Sequence, residues 1–158
     1  MDEAAKKTAL RMIPYGLFVV GVKDGDKVTA AAVNWLTQAS FAPPLVVLGS
    51  KAGTGSTDMI EKSGVFCVNV LEAGSKDLAS KFFAHVEAEG NKFGAVEFSL
   101  SPNGCPVLKD ALGWFECQVR DKVALGDHTI FVGEVVGAGP GEGSPLLFHR
   151  GKYTRLAT

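Results

Sequence analysis

The chain has 158 residues, 16 basic and 17 acidic side chains, a net charge of −1 and a 46% hydrophobic fraction, which suits one globular domain spanning 1–158. No basic block offers nucleic acid or an anionic membrane a surface to bind. No apolar run reaches the roughly 18 residues of a membrane helix, and Met1-Asp2-Glu3 lacks the layout of a signal peptide.

In chain order, residues 4–12 suit a short helix ended by Pro14. Residues 16–22 (GLFVVGV) form a buried-looking strand, a turn at 23–26 follows, and 28–34 run back as a hairpin. Residues 35–44 break the pattern before a third strand at 45–50 (LVVLGS). A glycine-rich loop at 51–56 leads to a short helix capped at Thr57 or nearby and stopped at Gly64. A strand at 65–71 precedes a helix from Ser75 to about His85, and 87–110 is expected to be irregular. Residues 114–123 alternate, with Phe115, Cys117 and Val119 on one face and Glu116, Gln118 and Arg120 on a polar face with Trp114. A turn at Gly126-Asp127-His128, a strand at 129–136 and segments near 146–148 and Tyr153 complete the chain. Six or seven strands with hairpin-like links and few helices favour an antiparallel barrel over a parallel doubly wound sheet.

Several common chemistries lack their residues. The stretches at 53–58 and 137–142 place Asp58 and Glu142 where a dinucleotide fingerprint needs its third glycine. There is no Walker loop and no nucleophile elbow. The histidines 85, 128 and 149 are far apart, so no metal is expected. His85 and His149 read as surface residues. Cys67, Cys105 and Cys117 are odd in number and dispersed, and read as small buried thiols in a reduced, cytoplasmic protein.

Two stretches do carry binding chemistry. In 29–40 (TAAAVNWLTQAS) three alanines leave the backbone open to a flat ring, and Asn34, Thr37, Gln38 and Ser40 offer short donors and acceptors. The loop at 50–57 (SKAGTGST) brings hydroxyls, one ammonium and backbone N–H groups to a helix start, a phosphate site that needs no Walker motif. Its alternative is a plain surface turn with a Ser/Thr cap.

The order and spacing of NWLTQASFAPPL (34–45), the GST loop followed by DMIEKSGVFCVNVL (55–71), LASKF (78–82), Lys92-Phe93, GDHTIFVGEV (126–135) and PLLFHRGKY (145–153) resemble the flavin reductase-like, FMN-binding split-barrel family. The version at 34–44 is similar to the flavin reductase domains of flavodiiron proteins. The resemblance implies a mainly β, six-stranded antiparallel Greek-key split barrel with a few short helices. It implies a homodimer binding FMN, less often FAD, with NAD(P)H as reductant. It assigns the ring to Ala32, Val33, Asn34, Trp35, Leu36, Thr37, Gln38 and Ser40. The phosphate falls to Ser50, Lys51, Ser56 and Thr57, with Lys92 also in reach. His128 and Tyr153 match positions near the nicotinamide-facing side of the ring, although His128 also reads as a solvated turn residue. Relatives often carry a longer Ser/Thr run where this chain has Asn34-Trp35-Leu36, so Trp35 either stacks near the flavin or narrows entry to it. The implied activity is NAD(P)H-dependent flavin reduction, with electrons passed on to free flavin, an electron-acceptor protein or a metal complex. The alternatives are a flavoredoxin-like FMN carrier that never meets NAD(P)H and a haem or other non-flavin binder. Phe82 and Phe93 read as core or dimer contacts. Trp114, Phe82 and Phe83 are expected to lack partners within one barrel and so to favour a dimer.

Overall fold

The computed structural model describes residues 1–149 and 152–154. In chain order these form α1 (Glu3–Leu10), β1 (Tyr15–Gly16), β2 (Phe18–Asp24), β3 (Lys27–Val33), β4 (Leu36–Ser40), β5 (Leu45–Lys51), α2 (Gly55–Ser63), β6 (Val65–Val70) and α3 (Lys76–Ser80). Then follow β7 (Val86–Glu87), β8 (Lys92–Phe93), β9 (Val96–Leu100), β10 (Pro106–Leu108), β11 (Gly113–Val123), β12 (His128–Gly139), β13 (Leu147–His149) and β14 (Lys152–Thr154).

The main sheet runs β4-β5-β12-β11-β6-β2-β3-β7 with every pair antiparallel. Its six long inner strands are the six expected from the sequence. The short β4 and β7 add one strand at each edge, and the sheet does not close on itself. Two three-stranded sheets, β1-β13-β14 and β10-β9-β8, flank it.

β2 reads as an unbroken apolar run because both its faces are covered. Alternate side chains of a strand point to opposite faces. Val20 and Val22 join Val46, Leu48, Phe66, Val68, Cys117 and Phe131 under Met59 and Ile60 of α2. Val19 faces the other way, into a second cluster with Ala30, Leu71, Phe82, Phe93, Phe98 and Leu108. Asn69 is fully buried and ties β10 to this wall. Its Nδ2 donates to the Val19 and Pro106 carbonyls, and its Oδ1 accepts from the Leu108 amide at 2.7 Å.

Several local expectations change. Residues 36–40, read as a break, form β4 because the 45–51 strand offers them a free edge to pair with. The region 87–110 is not irregular throughout but supplies β8, β9 and β10. α3 ends at Ser80 rather than near His85, and Ser75 makes no side-chain cap. Residues 82–87 instead run beside β3, with the Ala32 amide donating to the Phe82 carbonyl at 2.9 Å. The cap of α2 is Thr54, whose Oγ1 accepts from the Thr57 amide, and Gly64 closes the helix at φ 69°.

The supposed polar face of β11 is also buried in part. Glu116 lies inside because residues 101–105 fold over it. Ser101 Oγ donates to the carboxylate, and so does Asn103 Nδ2, at 2.7 Å. Phe82 is 1% exposed and therefore has its partners inside the chain, whereas Phe83 is 57% exposed. Trp114 packs beside Cys67, Cys105 and Val107 and lies against the flat surface of Gly139. The three cysteines are free and buried.

Candidate functional site

The alanine strand and the hydroxyl-rich loop open onto one cavity of about 390 Å³. Its walls are Thr29–Val33 of β3, Ser50 and Lys51 at the end of β5, Thr54–Ser56 at the start of α2, and Phe82–His85. Small residues shape it. Ala30, Ala31 and Ala32 leave the backbone of β3 as a flat wall, and Phe82 and Phe83 stand across the opening. Ligand pockets typically occupy roughly 300–1,000 Å³, so this one fits a mononucleotide-sized guest.

The loop is held by its own hydroxyls. Thr54 Oγ1 donates to the Lys51 carbonyl at 2.9 Å, and Thr57 Oγ1 donates to the same carbonyl at 2.7 Å. Ser50 Oγ lies 2.7 Å from Thr57 Oγ1, and Thr54 Oγ1 lies 3.3 Å from Ser56 Oγ. The loop backbone is thus fixed with Gly55 and Ser56 at the start of α2 lining the cavity, an end where the helix dipole favours an anion. Lys51, exposed at that end, supplies a mobile cation. These donors and the apolar wall fit a flavin mononucleotide.

The structure brings together only part of the predicted set. Ala32, Val33, Ser50, Lys51 and Ser56 line the cavity, and Thr57 stands buried behind it as a support. Asn34 and Trp35 lie outside it, facing a separate depression beside α1 and Tyr15. Leu36 and Gln38 border a third depression with Pro44 and Phe115, because β4 turns away from β3. Thr37 and Ser40, also on β4, line neither cavity nor depression. Lys92 sits in the small β10-β9-β8 sheet, with Nζ 3.5 Å from Glu97, and does not line this cavity. The Tyr153 backbone pairs with Phe148, but its side chain lies outside the described residues.

His128 is the register partner of Lys51 across β5 and β12. The Ala52 amide donates to the Asp127 carbonyl at 3.0 Å, so the 126–128 turn is bound to the loop. The His128 ring lies 4.3 Å from the Trp35 ring, and its Nδ1 donates to Asp127 Oδ1 at 2.9 Å. That hydrogen bond holds the Asp127 carboxyl below the usual carboxylate range, and it leaves Nε2 as the free nitrogen of the ring.

Thr54 and His85 are the residues the sequence reading passed over. Thr54 was legible as a hydroxyl before a helix. His85 was not, because only the pairing of residues 82–87 along β3 carries it to the cavity.

Comparison with known proteins places the chain in a family. Residues 10–157 match the family model described as a flavin reductase like domain. A flavin reductase of Pseudomonas putida is 34% identical over 153 residues, covering 96% of this chain and 88% of that protein. The flavin-dependent monooxygenase reductase subunit HsaB of Rhodococcus jostii (strain RHA1) is 30% identical over 157 residues, 99% of this chain and 79% of that one. The chain spans 48% of the length of another relative, a probable flavin reductase of Rhizobium meliloti (strain 1021). Among solved structures, the Streptomyces globisporus C-1027 NADH:FAD oxidoreductase SgcE6, in complex with NAD and FAD fragments, superposes with a TM-score of 0.86 at 29% identity, covering 99% of this chain and 93% of that chain. The chain belongs to the flavin reductase-like family.

Proposed function

We propose that this protein is an NAD(P)H-dependent flavin reductase that holds FMN in the cavity between β3, the start of α2 and residues 82–85. The carrying observation is the convergence of the alanine wall with Ser50, Lys51, Thr54 and Ser56 on one cavity of mononucleotide size. When bound there, FMN supplies a two-electron acceptor for hydride from the nicotinamide. The residues of the chain bind and orient. The flat wall of Ala30–Ala32 lies against the ring, and Lys51, Ser56 and the α2 amides hold the phosphate. His128, paired in register with Lys51 and stacked near Trp35, would position the nicotinamide, a role that needs geometry rather than proton abstraction. Thr37, Gln38 and Ser40 belong to the edge strand β4 and are reserved for contacts across a homodimer.

The reading extends to a single flavin reductase-like domain in the cytoplasm, supported by the 10–157 match and by three free thiols. No described helix is long and apolar enough to cross a membrane. The names of relatives such as the monooxygenase reductase subunit HsaB support a role in delivering reduced flavin to a partner enzyme.

The test is a fluorescence titration with FMN followed by steady-state oxidation of NADH and NADPH with and without FMN. Quenching at micromolar FMN together with flavin-dependent nucleotide oxidation is expected. Quenching without oxidation by either nucleotide would turn the reading to an FMN carrier, and no quenching would remove the flavin site.

A further inference from the structure

Among the described residues His85 is the one imidazole on the cavity wall, and it stands at the end where the hydroxyl loop meets α2. Its ring lies over Gly55, so that a β-carbon there would sit 3.4 Å from Cε1 and 3.6 Å from Nδ1. Nε2 faces Glu87 Oε1 at 3.3 Å. The ring therefore has one nitrogen on a carboxylate and the other beside Gly55 at the start of α2. Lys51 and the hydroxyls of Ser50, Thr54 and Ser56 occupy the same end of the cavity.

We infer that His85 is a specificity-determining residue that closes this end of the cavity and recognises a terminal phosphate monoester, selecting FMN over riboflavin and over FAD. The inference rests on the flavin reading above and deepens it. A histidine ring between Glu87 and a phosphate can donate one N–H to each anion. Riboflavin has no phosphate to meet it. FAD carries an adenylate beyond its first phosphate, which a site closed by His85 would have to accommodate, and each of its two phosphates bears one charge where a terminal monoester bears up to two.

Dissociation constants for FMN, riboflavin and FAD, measured by fluorescence on the wild type and on His85→Ala, His85→Gln, Lys51→Ala and Ser56→Ala, test this. His85→Ala is expected to weaken FMN by about 5- to 20-fold, the scale of a partly screened charge-assisted contact. Riboflavin should change by less than about twofold on the same grounds, since it lacks the charge. FAD should hold or gain, so the preference for FMN over FAD contracts. His85→Gln should fall between, keeping a donor without the charge. His85 is exposed, so thermal melts of both variants should match the wild type.

If FMN affinity is unchanged in His85→Ala, or all three ligands weaken equally, the inference is overturned. Should Lys51→Ala and Ser56→Ala still lower the FMN-to-riboflavin ratio in that case, the phosphate site stands and His85 alone is excluded. If those two variants also leave the ratio unchanged, the phosphate assignment falls and this inference falls with it.

Discussion

His128 contributes little to packing, since its ring sits half-buried between Asp127 and Trp35 at the end of a strand. His128→Ala should therefore leave folding and FMN affinity nearly unchanged. It should slow reduction of the flavin by NADH or NADPH by about 10-fold, the scale of one lost positioning contact. Dithionite needs no nicotinamide site and should reduce both proteins alike. Stopped-flow bleaching with each reductant checks this, and equal rates with nucleotide would make His128 a turn residue only. The cysteines offer a second measurement at this scale. Burial, together with the nearby Glu116 carboxylate, pushes Cys105 and Cys117 up to about 12, and burial pushes Cys67 up as well. Thiols in this state should ignore Ellman's reagent at pH 8 until the protein is denatured. Because their folded values are raised, the stability they lend is fully present below the unfolded value near 9 and is lost as pH rises toward 12. Denaturant midpoints should fall across that window.

At the scale of elements, the start of α2 links stability to binding. Thr54 caps the helix and also bonds the Lys51 carbonyl, so its hydroxyl fixes the loop that lines the cavity. Thr54→Ala is expected to cost about 1 kcal/mol of stability, as for other lost caps. It should also weaken FMN more than riboflavin, because the disordered loop no longer presents its donors together. Chemical denaturation and paired titrations read the two effects. A stability loss with an unchanged FMN-to-riboflavin ratio would show that the loop caps the helix without shaping the site. The β3 wall is a different kind of element. Its alanines bind through the absence of side chains, and the 82–87 segment pairs along its edge to form the opposite side of the cleft.

At the scale of the molecule, apolar surface lies uncovered around the β4–β5–β12 edge. Phe41 is 89% exposed and Leu125 94%, with Trp35, Ile130 and Val136 also open to solvent. Exposed large apolar side chains along an edge favour association, and pairing through a two-fold axis is the commonest form. A homodimer is expected, and the partners first sought in Phe82 and Trp114 are better sought here. Light scattering at micromolar concentration should give twice the chain mass. A monomer mass would leave β4 and its predicted ring contacts as unexplained surface.

The sequence by itself determined the six inner strands, since runs such as 16–22, 65–71 and 129–136 are apolar enough to be buried in any arrangement. It indicated a hydroxyl-capped helix start near Thr57 too, because a Ser/Thr cap before a helix is local chemistry. Resemblance along the chain carried the family. Only the tertiary structure decided which residues share a cavity. Asn34 to Ser40 follow the alanine wall directly in sequence, yet β4 turns away to pair with β5, so that run leaves the cleft. His85 lies about fifty residues from β3 and was read as surface, as it is, but edge pairing also sets it on the cavity wall. Glu116 alternates with apolar neighbours as a solvent-facing residue would, and a distant loop buries it. Local pattern reports what a segment can become. Long-range pairing, which no short window contains, decides what it faces.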